Sequence, residues 1–150
     1  RMNQFGGENI GGLAPGAEPS FVQDGYGIEL KKGSTLRVNM HWHKEPGPGT
    51  GMFDNSKLGL FFYDKDDVKD IKPIHIDPIG STDFMIPPNT DDYVVSMART
   101  FDKPVHILNY LPHMHVRVKA AKYTAFYPDG TTETLLDVPV YEDNWQLSYK

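Results

Sequence analysis

The sequence predicts an all-β protein, built as a jelly-roll-like antiparallel β-sandwich, on three observations. Apolar residues alternate along most of the extended runs, and little of the chain shows a helical period. The 14 glycines and 12 prolines interrupt those runs at short intervals, as a turn-rich β protein requires. The runs amount to about eight short strands separated by turns, the spacing of a sandwich or jelly roll.

The first 26 residues are glycine-rich ("FGGENIGGLAPGAEP") and read as irregular chain lying over a core made elsewhere. The first strand is Thr35–His43, after the polar start "KKGS". Leu36, Val38, Met40 and Trp42 fall on one face, and Arg37, Asn39, His41 and His43 on the other. "KEPGPGTG" then breaks the strand into a loop, and Lys57–Tyr63 is the second strand. "DKDDVKD", Asp64–Asp70, is the one dense run of charge, read as a solvated linker and as the boundary between two β units near Asp66. Short strands follow around Ile74–Ile76, in "STDFMIPP" and in "YVVSMARTF". "PVHILNYLPHMHV" is a long extended run kinked at Pro112, and 117–139 is a hairpin closed by "YPDGT", whose Pro-Asp-Gly chemistry makes a tight turn. Tyr and Phe residues that alternate in these strands are expected in the core.

Composition narrows the function classes. A net charge of -5 argues against a nucleic-acid surface, which needs a basic face. The absence of cysteine excludes disulfides, thiolate metal sites and cysteine nucleophiles. No apolar run has the length of a membrane span, and no signal peptide is recognisable. The chain opens at Arg1 and stops at Lys150 within the strand-like "NWQLSYK", so it reads as a piece of something longer.

The distribution of histidine is uneven. Four of the six histidines form two H-x-H pairs, His41/His43 in "NMHWH" and His113/His115 in "PHMH". Alternate residues of a strand point to one side with Cα atoms about 6.5–7 Å apart, so both imidazoles of a pair can reach one metal ion. Imidazole suits copper, zinc, iron or nickel, and spacing alone does not choose among them. A solvent-facing pair with no metal is the competing interpretation, and it would leave a β-sandwich serving as an interaction or scaffolding module. "HWHKE" also brings to mind a cupin-like mononuclear metal barrel, although its glutamate follows His43 too closely for that pattern. His75 and His106 are expected to be structural, on apolar strands with one ring nitrogen bonded to backbone.

From "IPPNTDDYVVSMARTF" to the C-terminus the chain resembles the copper type II, ascorbate-dependent monooxygenases, the family of peptidylglycine α-hydroxylating and dopamine β-monooxygenases. It is most similar to bacterial copper-monooxygenase-like domains of multidomain exported proteins, which carry "PHMH", "YPDG", "LLDVP" and "NWQ" in this order. "GGLAPGAEP", "KKGSTLRVNMHWHKEPGPGTG" and "DNSKLGLFF" extend the likeness over nearly all 150 residues.

The resemblance implies two consecutive jelly-roll-like sandwiches, each holding one copper. Residues 1–66 would be the C-terminal part of the first and 67–150 the N-terminal part of the second. It maps His113 and His115 onto the dioxygen-binding copper and His41 onto the electron-transfer copper, with His43 beside it. The family's second site also takes a methionine downstream of H-x-H, whereas the last methionine here is Met114, and its first site takes a His-His pair that this chain lacks. The parent protein would then hydroxylate a C–H bond of a small-molecule or peptide substrate, using dioxygen and an ascorbate-type reductant. It would work beside other domains of the same chain in the periplasm or outside the cell.

Overall fold

The computed structural model describes residues 7–14, 16, 22–40, 53 and 55–150. Among them the structure is all-β in class: four strands, one 3-10 turn and no α-helix, hence no helix long and apolar enough to cross a membrane. The chain divides into two compact units, Val22–Ile74 and a discontinuous unit of Arg1–Phe21 with His75–Lys150.

In the unit Val22–Ile74, strand β1 (Tyr26–Gly27) pairs with β2 (Lys72–Pro73) in parallel, unlike the antiparallel pairing expected. Two hydrogen bonds close the pair, Lys72 N–H to the Gly25 carbonyl and Ile74 N–H to the Gly27 carbonyl, both 2.9 Å. The acidic run is solvent-exposed, as expected, but it is folded rather than extended. Asp67 N–H bonds the Asp64 carbonyl at 3.0 Å, and the 3-10 turn Val68–Asp70 follows directly and delivers β2. Gly27 is closely packed: a Cβ there would meet Ile71 Cγ2 at 2.9 Å and force that side chain to shift. The Tyr63 hydroxyl donates to the Tyr26 carbonyl at 3.0 Å and ties the expected second strand to β1.

The other unit is organised by the hairpin of β3 (Ala121–Phe126) and β4 (Thr132–Val138), the element that the sequence marks most clearly. Ala121, Tyr123 and Ala125 turn inward and Lys122, Thr124 and Phe126 outward. Tyr123 pairs with Leu136 and Thr124 with Thr134, so Leu135 is an extra residue. That bulge breaks the period of two. Leu135 and Leu136 are both half-buried in succession, and Val138 comes to lie buried. The exposed cross-strand ion pair Lys122–Asp137 (2.8 Å) adds about 0.2–1 kcal/mol at most.

The turn has the three-residue form that ends in a left-handed residue. Gly130 N–H bonds the Tyr127 carbonyl at 3.0 Å, Tyr127 N–H bonds the Thr131 carbonyl at 2.9 Å, and Gly130 has φ +86°. Asp129 Oδ1 accepts from both the N–H and the hydroxyl of Thr131, at 2.9 and 2.6 Å. These bonds favour the ionised carboxyl and hold it below the usual range, the hydroxyl contributing most.

Other expected strands form no ladder among the described residues. Residues 35–40, 57–63, 84–86 and 93–101 carry none, and 104–116 pairs only at the isolated bridge Tyr110–Tyr149. The aromatic residues expected in the core divide accordingly. Phe61 is 87% exposed and Phe62 72%, with Phe84, Tyr93 and Phe101 also outside, whereas Tyr110, Tyr123, Tyr141 and Tyr149 gather around the hairpin. An alternating pattern sorts side chains to two faces, but it names neither the strand that pairs the backbone nor the layer that covers the apolar face. Among the described residues the buried ones are Pro112, Val138, Tyr141 and Gln146.

A Cβ at Gly130 would meet nothing within 4 Å, so its substitution isolates the cost of the left-handed backbone. Gly130→Ala should destabilise the hairpin by about 1 kcal/mol and Gly130→Asn by less, because asparagine enters that region more easily. Denaturant midpoints of the two variants and the parent check the order; equal loss in both would contradict it.

Candidate metal site

The chain enters the site from the bridge at Tyr110 and Tyr149, where each N–H bonds the other's carbonyl at 2.8 Å. Beside it the Tyr110 and Tyr123 rings pack at 5.1 Å between centroids, so the bridge rests on the hairpin. The buried Pro112 comes next, restricting the backbone ahead of His113. The chain then turns at 115–118, where Val118 N–H reaches the His115 carbonyl at 3.4 Å. Arg117 occupies the left-handed region at φ +81°, a conformation that a residue with a Cβ enters at some cost. The expected strand through "PHMHV" therefore forms no ladder and ends in a tight turn.

Tyr141 holds that stretch at two places. Its hydroxyl accepts from Met114 N–H and donates to the Met114 carbonyl, both at 2.9 Å. Its own N–H bonds the Lys119 carbonyl at 2.8 Å, beyond the turn. One residue thus satisfies both backbone groups of Met114, the residue between the two histidines. Burial raises the pKa of the Tyr141 hydroxyl; the bond to Met114 works the other way, and Asp143 and Tyr149 add smaller upward contributions. Burial raises Tyr110 and Tyr123 as well, Glu133 adding to the first and Tyr110 and Tyr141 to the second.

His113 and His115 come together as the H-x-H spacing requires. Their ring centroids are 5.5 Å apart, with the planes at 75°, edge to face. A ring nitrogen about 2 Å from a metal puts the ring centre about 3 Å from it, so two rings sharing an ion lie at most about 6 Å apart. The pair meets that limit and offers two imidazoles, a donor type that suits copper, zinc, iron or nickel alike. Edge-to-face packing of two rings gives the same separation without a metal. Among the described residues no three His, Asp or Glu side chains form a cluster.

Gln146 is a second residue of the site. It is 5% exposed, its Nε2 donates to the Asp143 carbonyl at 2.8 Å, and its Oε1 lies in hydrogen-bond contact with Nδ1 of His113. Neither Gln146 nor Tyr141 was singled out by sequence reasoning, although "NWQ" forms part of the family likeness. No local signal links either to residues 27 or 33 positions away.

His41 and His43 lie outside the described residues. His75 and His106 are exposed and outside the strands, so neither stands on the apolar strand expected of it. A concavity of about 80 Å³ lies alongside, lined by Pro112, Val138, Tyr141, Trp145, Leu147 and Tyr149 among others. Its volume is far below the roughly 300–1,000 Å³ of a small-molecule site. Comparison with known proteins finds no matching family model, no matching curated relative and no matching solved structure. What the fold and site define is thus a class, an all-β chain presenting a supported pair of histidines.

Tyr141→Phe removes both bonds to Met114 and should cost about 1–3 kcal/mol, read from denaturant midpoints, with the His113 and His115 NMR signals shifting. Preserved stability and unchanged histidine signals would show that the hydroxyl does not hold the stretch. The same hydroxyl gives an alkaline limit. Its folded pKa lies above the ordinary 10.0, so the folded state binds its proton more tightly than the unfolded chain does. That stabilisation is full below pH 10.0 and is lost as pH rises through the folded value. Tyrosinate absorbance followed together with circular dichroism should show late-titrating tyrosines ionising as the fold is lost.

Proposed function

We propose that this chain is part of a copper-binding, monooxygenase-like β protein in which His113 and His115 provide two nitrogen donors to one copper. The observation that carries the reading is the pair itself: two imidazoles 5.5 Å apart on a stretch whose backbone is clamped by a buried tyrosine. Pre-organisation of this kind lowers the cost of gathering the donors when the ion arrives. Copper, when bound, supplies one-electron redox chemistry; the chain's own part is to hold the two rings and to shield one side of the site with Pro112 and Tyr141.

In this reading the strands belong to jelly-roll-like sandwiches, with 1–66 closing a first domain and 67–150 opening a second. His41 and His43 would serve the first domain's copper. The parent protein would hydroxylate a C–H bond of a small-molecule or peptide substrate with dioxygen and an ascorbate-type reductant, in a periplasmic or extracellular setting. The further copper ligands would come from other parts of the parent.

A second reading, a non-catalytic interaction module, is favoured by the exposed apolar residues of the expected strands, Phe61, Phe62, Met85 and Val94 among them. A cupin-like site at His41 and His43 is separated from both by its metal, iron or manganese.

Titration with copper(II), followed by electron spin resonance, tests the proposal. The parent chain should show a nitrogen-coordinated copper signal, and the double variant His113→Ala/His115→Ala should lose one equivalent while its circular dichroism retains the hairpin. An identical titration in the double variant would remove copper from this pair.

A further inference from the structure

We propose that Gln146 is a positioning residue that locks His113 as its Nδ1–H tautomer and so presents Nε2 as the metal-binding atom. This rests on the reading of His113 and His115 as a metal site. Three hydrogen-bonding groups fix the tautomer, each leaving one choice to the next. The Asp143 carbonyl can only accept, so the amide end of Gln146 that faces it at 2.8 Å is the NH₂ group. The other end is then the carbonyl oxygen, which also can only accept, and it faces His113 Nδ1. His113 Nδ1 must therefore carry the hydrogen. A neutral imidazole has one N–H, so its lone pair is on Nε2.

The placement of Gln146 gives this chain of bonds its hold. Gln146 is 5% exposed, so water competes little for its amide, and its bond to Asp143 spans only three residues. The ring of His113 is more open, although its neighbours Pro112 and Met114 are held by burial and by the Tyr141 hydroxyl. A backbone fixed on both sides and a side chain fixed at Nδ1 leave the imidazole little freedom to swing. A histidine without such a partner favours the Nε2–H form, which must lose a proton or change tautomer before Nε2 can bind a metal. Metal-binding histidines commonly donate the second N–H to an acceptor that sets tautomer and ring orientation. Gln146 stands to His113 in that relation.

The test begins on the metal-free chain, with long-range proton–nitrogen NMR of the imidazoles at about pH 8, above the ordinary range of histidine titration. His113 should show the Nδ1–H pattern in the parent chain. In Gln146→Leu, which has no acceptor, it should move to the Nε2–H form, and in Gln146→Glu, which keeps one, it should stay Nδ1–H. Copper(II) affinity should fall about 10–100-fold in Gln146→Leu and recover in Gln146→Glu. An Nε2–H His113 in the parent chain overturns the assignment, and so does a Gln146→Leu variant that keeps the Nδ1–H form. If Gln146→Leu does not fold, the parent and Gln146→Glu spectra still decide.

The two proposals fail separately. A locked Nδ1–H ring in a chain that takes up no copper at the pair would uphold the hold of Gln146 on the ring and overturn the functional reading. Copper bound at the pair, by a chain whose metal-free His113 is Nε2–H, would uphold the function and overturn the role of Gln146.

Discussion

The contact on which the site depends is that of one phenol with one peptide unit's worth of backbone. The Tyr141 hydroxyl takes the N–H of Met114 and gives its hydrogen to the Met114 carbonyl, while its own N–H holds Lys119. A stretch outside any strand otherwise leaves such groups to water, and water does not fix direction. Because Met114 is flanked by the two histidines, anchoring its backbone sets the direction in which both imidazoles leave the chain. The phenol can act this way because Tyr141 is buried beside Val138 at the end of the hairpin, where loss of its hydrogen bonds would leave polar groups poorly satisfied.

The hairpin supplies the platform. Its turn is local chemistry, with Asp129 capping Thr131 and Gly130 taking the left-handed residue. Its bulge at Leu135 turns two successive leucines inward and helps to form the small apolar knot of Pro112, Val138 and Tyr141. Three segments remote along the chain thus meet in one place: "PHMH" lies against Tyr141, two residues past "LLDVP", and against the glutamine of "NWQ". Segments that a linear string merely orders are here connected by hydrogen bonds across 27 and 33 positions.

The hairpin and its turn could be read from the sequence because they are made of neighbours. Pro-Asp-Gly chemistry closes the turn, and the strands flank it directly, so no distant partner is needed. The pairing of His113 with His115 could be read for the same reason, since residues two apart on extended chain share a side. The strands expected at Thr35–His43, of which 35–40 are described, and at 57–63 and 93–101 are marked by local pattern alone, and such a pattern names two faces without naming the neighbour that pairs the edge. The outward position of Phe61 and the inward one of Tyr123 follow from which runs found partners, a matter on which their own local patterns are nearly alike.

By itself, the sequence determined the all-β class, the Tyr127–Thr131 turn and the nearness of the two histidines, all consequences of short-range stereochemistry. Only the tertiary structure decided that Tyr141 clamps Met114, that Gln146 faces Nδ1 of His113, and that the bulge falls at Leu135. Those arrangements bring together groups that are remote along the chain. Which remote groups meet depends on how the whole hairpin packs against its neighbours, and no window of sequence contains that information.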